Sequence, residues 1–361
     1  MVQSPFDSGT RARRARAAAL TLAALLLATP AAAQAPFRVA GVSARPGTIA
    51  SGEIAVAPLG SGPGTTIPLT IVNGSKAGPV LALIAGTHGY EYPPILALQR
   101  LRTAIDPGAL SGTIIMVHVA NMPSFLGRTI YYSPIDGKNL NRVFPGKADG
   151  TISERIADII TREVLDRSTH VVDLHCGDGN EDLRPYLYWV TTGKPEVAEA
   201  GRALALAFGM DHIVIDRERP ADPAVSAYLS NTAITRGKPG LTIESGGMSR
   251  IDEEDIQRIE RGVAGLLRHL GMRPDGPDPA ASPVWIDRNE VLRAGFTGLF
   301  YAAVTPGQTV AQGAVIGRIT DFHGTLLETI RAPFAGEILY VVGTPAMNKG
   351  EPVGFIGERK D

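Results

Sequence analysis

Two short stretches of this chain combine histidine with a carboxylate at spacings that suit a cation. The first is Gly86-Thr87-His88-Gly89-Tyr90-Glu91, where a histidine and a glutamate three residues apart share a tight, glycine-rich turn. The second is Asp173-Leu174-His175-Cys176-Gly177. Two His and one Glu (His88, Glu91 and His175), with one position left open to water, make the usual ligand set of a hydrolytic zinc site. Asp173 is then a natural partner for the N–H of a ligating imidazole, fixing its orientation. Cys176 could add a soft ligand, but a small packed residue is the simpler expectation. Each stretch alone also has an ordinary explanation, a polar loop or a capped strand end, so the chemistry depends on the fold bringing them together.

The neighbouring residues supply the elements that would do so. Residues 80–84 (Val-Leu-Ala-Leu-Ile) read as a buried strand. Pro93-Pro94 and the apolar residues from Ile95 to Leu101 begin a helix near 94–104, with proline in its permitted first turn. His88 and Glu91 thus fall where a strand ends and a helix begins, the place where open α/β sheets bind ligands. Residues 113–119 form a second strand. Residues 169–175 form a third, with His175 at its carboxyl end like His88. Residues 240–244 (Gly-Leu-Thr-Ile-Glu) are another apolar strand finishing in a carboxylate. Glu244 is therefore expected to be the general base, taking a proton from the attacking water and returning one to the leaving amine.

Between these strands, residues 121–147 form a long loop, and loops of this length in compact domains usually carry function. It contains Arg128 and the run Asn139-Leu140-Asn141-Arg142-Val143-Phe144-Pro145-Gly146. The guanidinium fork of Arg142 beside the amide of Asn141 suits an anion such as a carboxylate. Helices are expected at 152–164, with Thr151 or Ser153 as cap, and at 195–209, 222–236 and 252–270. Residues 34–80 read as a β-rich entry. Residues 273–283, rich in Pro and Asp, read as a linker. Beyond it, short strands alternate evenly with glycine turns, as in a small all-β barrel or sandwich.

The chain has 361 residues, 44% hydrophobic and 20% charged, an ordinary globular balance long enough for about two domains. Residues 1–33 read as a cleavable secretory signal: Arg11, Arg13, Arg14 and Arg16, then an Ala/Leu-rich run, then Ala31-Ala32-Ala33 before Gln34. The apolar run is short for a bilayer span. A periplasmic or secreted protein is expected. Removing the four Arg and one Asp of this segment moves the formal net charge from −1 to −4. With no basic run, nucleic acid is not an expected partner. A single cysteine excludes an internal disulfide.

Taken together, Gly86–Glu91, Asn139–Gly146, Asp173-Leu174-His175 and Thr242-Ile243-Glu244 resemble the succinylglutamate desuccinylase/aspartoacylase family, a branch of the zinc carboxypeptidase-like fold. The resemblance covers most of the mature chain. It implies an α/β fold with a central mixed sheet flanked by helices (34–272), followed by a small C-terminal all-β barrel-like domain (284–361). It implies one zinc ion per chain on His88, Glu91 and His175, substrate-carboxylate binding by Asn141 and Arg142, and Glu244 as catalytic glutamate. The implied reaction is hydrolysis of the amide bond of an N-acyl amino acid, a small-molecule substrate. The sequence departs from the family pattern at Tyr90, where a small polar residue is common. It departs again upstream of Asn141, where Tyr131–Asp136 holds no arginine and Arg128 stands as the nearest substitute. The C-terminal segment also looks like a biotinyl/lipoyl barrel, but residues 316–338 contain no lysine to carry a cofactor. A periplasmic zinc carboxypeptidase would use the same ligands, and a non-catalytic binding protein would need only the anion pocket.

Overall fold

Along the strand Lys76–Ala85, successive side chains go to opposite faces of a sheet, as the period of two requires. Leu81, Leu83 and Ala85 join a core with helices Tyr92–Ala104, Pro195–Phe208 and Glu253–His269. Ala82 and Ile84 join a second core, with helices Ile152–Ile160 and Leu229–Thr235. The sheet therefore lies between two helical layers. This computed structural model describes residues 34–277 and 282–360. The expected signal segment and part of the expected linker lie outside the described residues.

The sheet is mixed. Its central strands run in the order Thr48–Val56, Thr65–Asn73, Ser111–Val117, Lys76–Ala85, His170–His175, Gly240–Glu244, Tyr186–Val190, His212–Asp216. Ser111–Val117, Lys76–Ala85, His170–His175 and Gly240–Glu244 are mutually parallel, and Tyr186–Val190 runs antiparallel to Gly240–Glu244. The strand expected at 113–119 forms two residues earlier. The helices carry their own sequence signals. Thr151 and Glu154 form a capping box at the start of Ile152–Ile160. Glu253–His269 has three acids in its first turn and Arg268 and His269 in its last, matching the helix dipole. Its buried residues, Ile256, Ile259, Val263, Leu266 and Leu267, follow the helical repeat.

The helix expected over 222–236 is shorter than its pattern suggests. A 3-10 turn spans Pro223–Val225, and the α-helix begins only at Leu229. Ala227 takes a positive φ of 66° and exchanges two backbone hydrogen bonds with Phe144. Pairing with the long loop interrupts the helix and pins both segments over the sheet.

After residue 284 the sheet continues. Val284–Arg293 lies parallel to His212–Asp216 and antiparallel to Pro352–Arg359, followed outward by Gly336–Val342 and Thr309–Val310. A four-stranded antiparallel sheet (Leu326–Arg331, Val315–Thr320, Gly298–Ala302, Ala346–Met347) shares a core with them, including Leu292, Phe300, Ile316, Ile338 and Ile356. Central mixed sheet, flanking helices and C-terminal β strands are the architecture the sequence implied. Among the described residues, no helix is long and apolar enough to cross a membrane.

Candidate active site

His88 and Glu91 sit in the turn between Lys76–Ala85 and Tyr92–Ala104. The turn needs its glycines: Gly86 has a φ of +68°, and a Cβ on Gly89 would run into the backbone oxygens of Ser124 and Thr129. Glu91 folds back on the turn, accepting the His88 backbone N–H at 3.0 Å. Its Oε1 lies 2.9 Å from Nδ1 of His88 and 2.6 Å from Nδ1 of His175. All three residues are buried, and one ligand atom from each lies within 4.8 Å of the others. Among the described residues this is the one group of three so arranged.

The far nitrogens of both rings are engaged elsewhere. Nε2 of His88 is 3.1 Å from Asn139 Oδ1, an oxygen already accepting the Asn141 N–H. Nε2 of His175 is 2.9 Å from Asp173 Oδ1. Both neighbours favour a proton on Nε2; each Nδ1 faces Glu91 Oε1, to which it donates when the ring is charged and beside which its lone pair is free for a cation when the ring is neutral. Asp173 thus stands where the sequence placed it. Asn139 was not anticipated as the partner of His88.

Glu244 faces the same space from the sheet. It is paired in register with His175 on one side and Tyr186 on the other. The next row down is Asp173, Thr242 and Tyr188. Side chains two apart on a strand share a face, so His175, Glu244, Tyr186, Thr242 and Tyr188 form the floor of a cavity of about 640 Å³, with Asp173 buried beneath it. Six of the chain's nine tyrosines line it, which makes its walls aromatic as well as charged. Burial pushes the Glu244 carboxyl well above its usual range; the charge of His175 opposes this, and Glu91, Glu181 and Asp178 add to it. For His88, burial works against the charged ring, but Asp178 and Glu91 outweigh it and hold the group up to about 9.

The expected anion binders divide. Asn141 lines the cavity, and its amide is also engaged within the protein: Nδ2 lies 3.2 Å from Asp173 Oδ2, and Oδ1 accepts the Leu229 N–H at 2.8 Å. It braces Asp173. Arg142 lines the cavity, its guanidinium 4.5 Å from the centre of the Tyr228 ring. Arg128 is exposed at the left-handed cap of the short helix Met122–Gly127 and is not among the residues lining the cavity. Cys176 is buried with its thiol 3.3 Å from the Gly177 carbonyl, outside the ligand group, as a packed residue would be.

Sequence reasoning missed Arg219. Its guanidinium lies 3.7 Å from the Tyr228 ring centre and ion-pairs with Asp216, and it lines the cavity. The signal available was an Arg-rich loop after an apolar run, His212–Asp216, for which no strand had been expected. Also missed were Asp178 and Glu181, two buried carboxylates of the loop after His175.

Residues 77–270 match the succinylglutamate desuccinylase/aspartoacylase catalytic domain. The chain is 32% identical over 305 residues to the N-alpha-acetyl-L-2,4-diaminobutyric acid deacetylase of Halomonas elongata, covering 81% of this chain and 85% of that protein. Among solved structures it is similar to a succinylglutamate desuccinylase/aspartoacylase from Rhodobacter sphaeroides (27% identity, TM-score 0.75, 87% of this chain and 96% of that one). It is similar also to the product-bound ectoine utilization protein EutE (DoeB) from Ruegeria pomeroyi (25% identity, TM-score 0.76, 89% and 100%).

Proposed function

Because the chain belongs to the succinylglutamate desuccinylase/aspartoacylase family, and so to the hydrolases of carbon–nitrogen bonds other than peptide bonds, we propose that it is a zinc-dependent deacylase of N-acyl amino acids. The observation that carries this reading is the convergence of His88 Nδ1, His175 Nδ1 and Glu91 Oε1 beside Glu244. The donor set fits the metal: two imidazoles with their remaining nitrogens engaged, and a buried carboxylate between them, suit a divalent ion of borderline softness. When bound on His88, Glu91 and His175, such an ion polarises the scissile carbonyl and makes water acidic enough to attack at neutral pH.

The chain's own groups do the rest. Glu244, raised by burial, accepts the proton of the attacking water and delivers it to the amine as the amide bond breaks. Arg219 and Arg142, stacked on Tyr228, hold the carboxylate of the amino acid and fix the direction of the amide. The likeness to the Halomonas deacetylase favours an acetylated diamino acid as substrate. The test is metal analysis of the purified protein followed by a panel of N-acyl amino acids and short peptides. One zinc per chain and hydrolysis of N-acyl amino acids over peptides is the expected result. Preference for peptides would make the protein a carboxypeptidase, and retained ligand binding without zinc or turnover would make it a binding protein. On the same proposal the reaction takes place outside the cytoplasm, as residues 1–33 suggest. N-terminal sequencing of protein from the periplasmic fraction should begin at Gln34.

A further inference from the structure

Asp178 and Glu181 have no role in the reaction outlined above. Both line the cavity and both are buried. Asp178 is 6% exposed, and its Oδ1 has no hydrogen-bond partner. That oxygen lies 3.3 Å from Nδ1 of His88, yet Asp178 is not a member of the ligand group formed by His88, Glu91 and His175. Glu181 Oε1 is 3.0 Å from the Tyr131 hydroxyl, and its Oε2 accepts the Asp178 backbone N–H at 3.4 Å. Among the described residues no Lys or Arg forms an ion pair with either carboxylate. Among these residues the His88 ring is thus the one basic group beside Asp178, and it leaves the Oδ1 of that buried carboxyl without a hydrogen bond, which is costly.

Glu91, Asp178, Glu181 and Glu244 gather four carboxyl groups around this centre. The aromatic rings of Tyr131 and Tyr340 line the same cavity, and aromatic lining suits an ammonium group. The loop is also fixed in place. Gly177 N–H donates to Gly246 O at 2.7 Å, and Met248 N–H to Glu181 O at 2.8 Å.

We infer that Asp178 and Glu181 form a cation subsite beside the catalytic centre, which takes the free ammonium side chain of an N-acylated diamino acid. Arg219 and Arg142 hold the α-carboxylate, and the acidic pair reads the other end of the same molecule. This inference rests on the deacylase reading for its substrate, but not for its test.

The experiment compares two substrates of equal shape, Nα-acetyl-2,4-diaminobutyrate and Nα-acetylnorvaline, with zinc-loaded protein, D178N and E181Q. The wild type should favour the cationic substrate in kcat/KM. Each variant should lower that preference by roughly 10- to 100-fold, the range for losing a hydrogen bond to a charged group. Zinc content should stay at one per chain. A wild-type preference near one, a preference that survives both substitutions, or loss of zinc from D178N would overturn the inference, the last making Asp178 a metal ligand. Calorimetric titration with free 2,4-diaminobutyrate and norvaline is independent of turnover. If no N-acyl amino acid is hydrolysed, the deacylase reading fails alone. The subsite then stands if the diamine binds more tightly and D178N or E181Q removes the difference, and falls if the two bind equally.

Discussion

Glu244 and His175 face each other across two parallel, hydrogen-bonded strands, as the last residues of both. The sheet's register fixes their separation, so the proposed base and the proposed ligand cannot drift apart without breaking the ladder between Gly240–Glu244 and His170–His175. A rigid strand positions a reacting group better than a loop does. Replacing Glu244 by Gln should leave zinc content unchanged and lower kcat by roughly 10²- to 10⁴-fold, as loss of acid–base work does. Because burial raises its carboxyl, the acid limb of the kcat/KM profile should lie above the ordinary carboxylate range near 4.3. Full activity in the Gln variant would remove Glu244 from the mechanism.

The stability of chelator-treated protein should depend on His88. Its folded value of about 9 lies above the ordinary 6.5. The charged ring therefore contributes stability that is complete below 6.5 and is lost as pH rises through 9. If zinc binds as proposed, it takes the place of that proton, so its affinity should increase over the same interval while the loaded protein changes less. Thermal melts from pH 6 to 10, with chelator and with zinc, make the comparison. Parallel curves would count against the assignment.

On the proposed reading, Asp173 acts through His175, whose Nε2 it meets at 2.9 Å. Asp173→Asn should weaken zinc binding by roughly 10- to 100-fold, the usual effect of losing such a partner, with little change in circular dichroism. Chelator competition measures it. Unchanged affinity would mean that Asn141 and the sheet orient His175 unaided.

Arg219→Ala should raise KM for N-acyl amino acids and cut kcat/KM by roughly 10- to 100-fold, the worth of a hydrogen bond to a charged group. Hydrolysis of an N-acyl alkylamine, which lacks the carboxylate, should be spared by comparison. Equal losses on both substrates would show that Arg219 does not read the carboxylate.

Gly89→Ala brings a methyl group against the backbone oxygens of Ser124 and Thr129. The main chain must shift, at a cost of about 1–3 kcal/mol for overpacking. The His88 turn should move with it, so denaturant midpoint and zinc content should fall together.

The local chemistry of the site was legible in the sequence. His88, Glu91, His175 and Glu244 each end or follow an apolar run, and short-range pattern is enough to place a residue at a strand end. Asp173 could be read for the same reason, two residues from His175 on one strand face. Most of the sheet and helices follow equally from their period.

Tertiary structure alone decided what lies between those residues. The partners of Asn141 are 32 and 88 positions away, and no local pattern shows that an amide lining the cavity also braces Asp173. Arg219 lines the cavity stacked on Tyr228, next to the Ala227 that pairs with Phe144, contacts set by folding rather than composition. The acidity of the loop at Asp178 and Glu181 is plain in the sequence. Its burial, and the absence among the described residues of a Lys or Arg paired with it, exist only once the sheet and the long loop have closed around it.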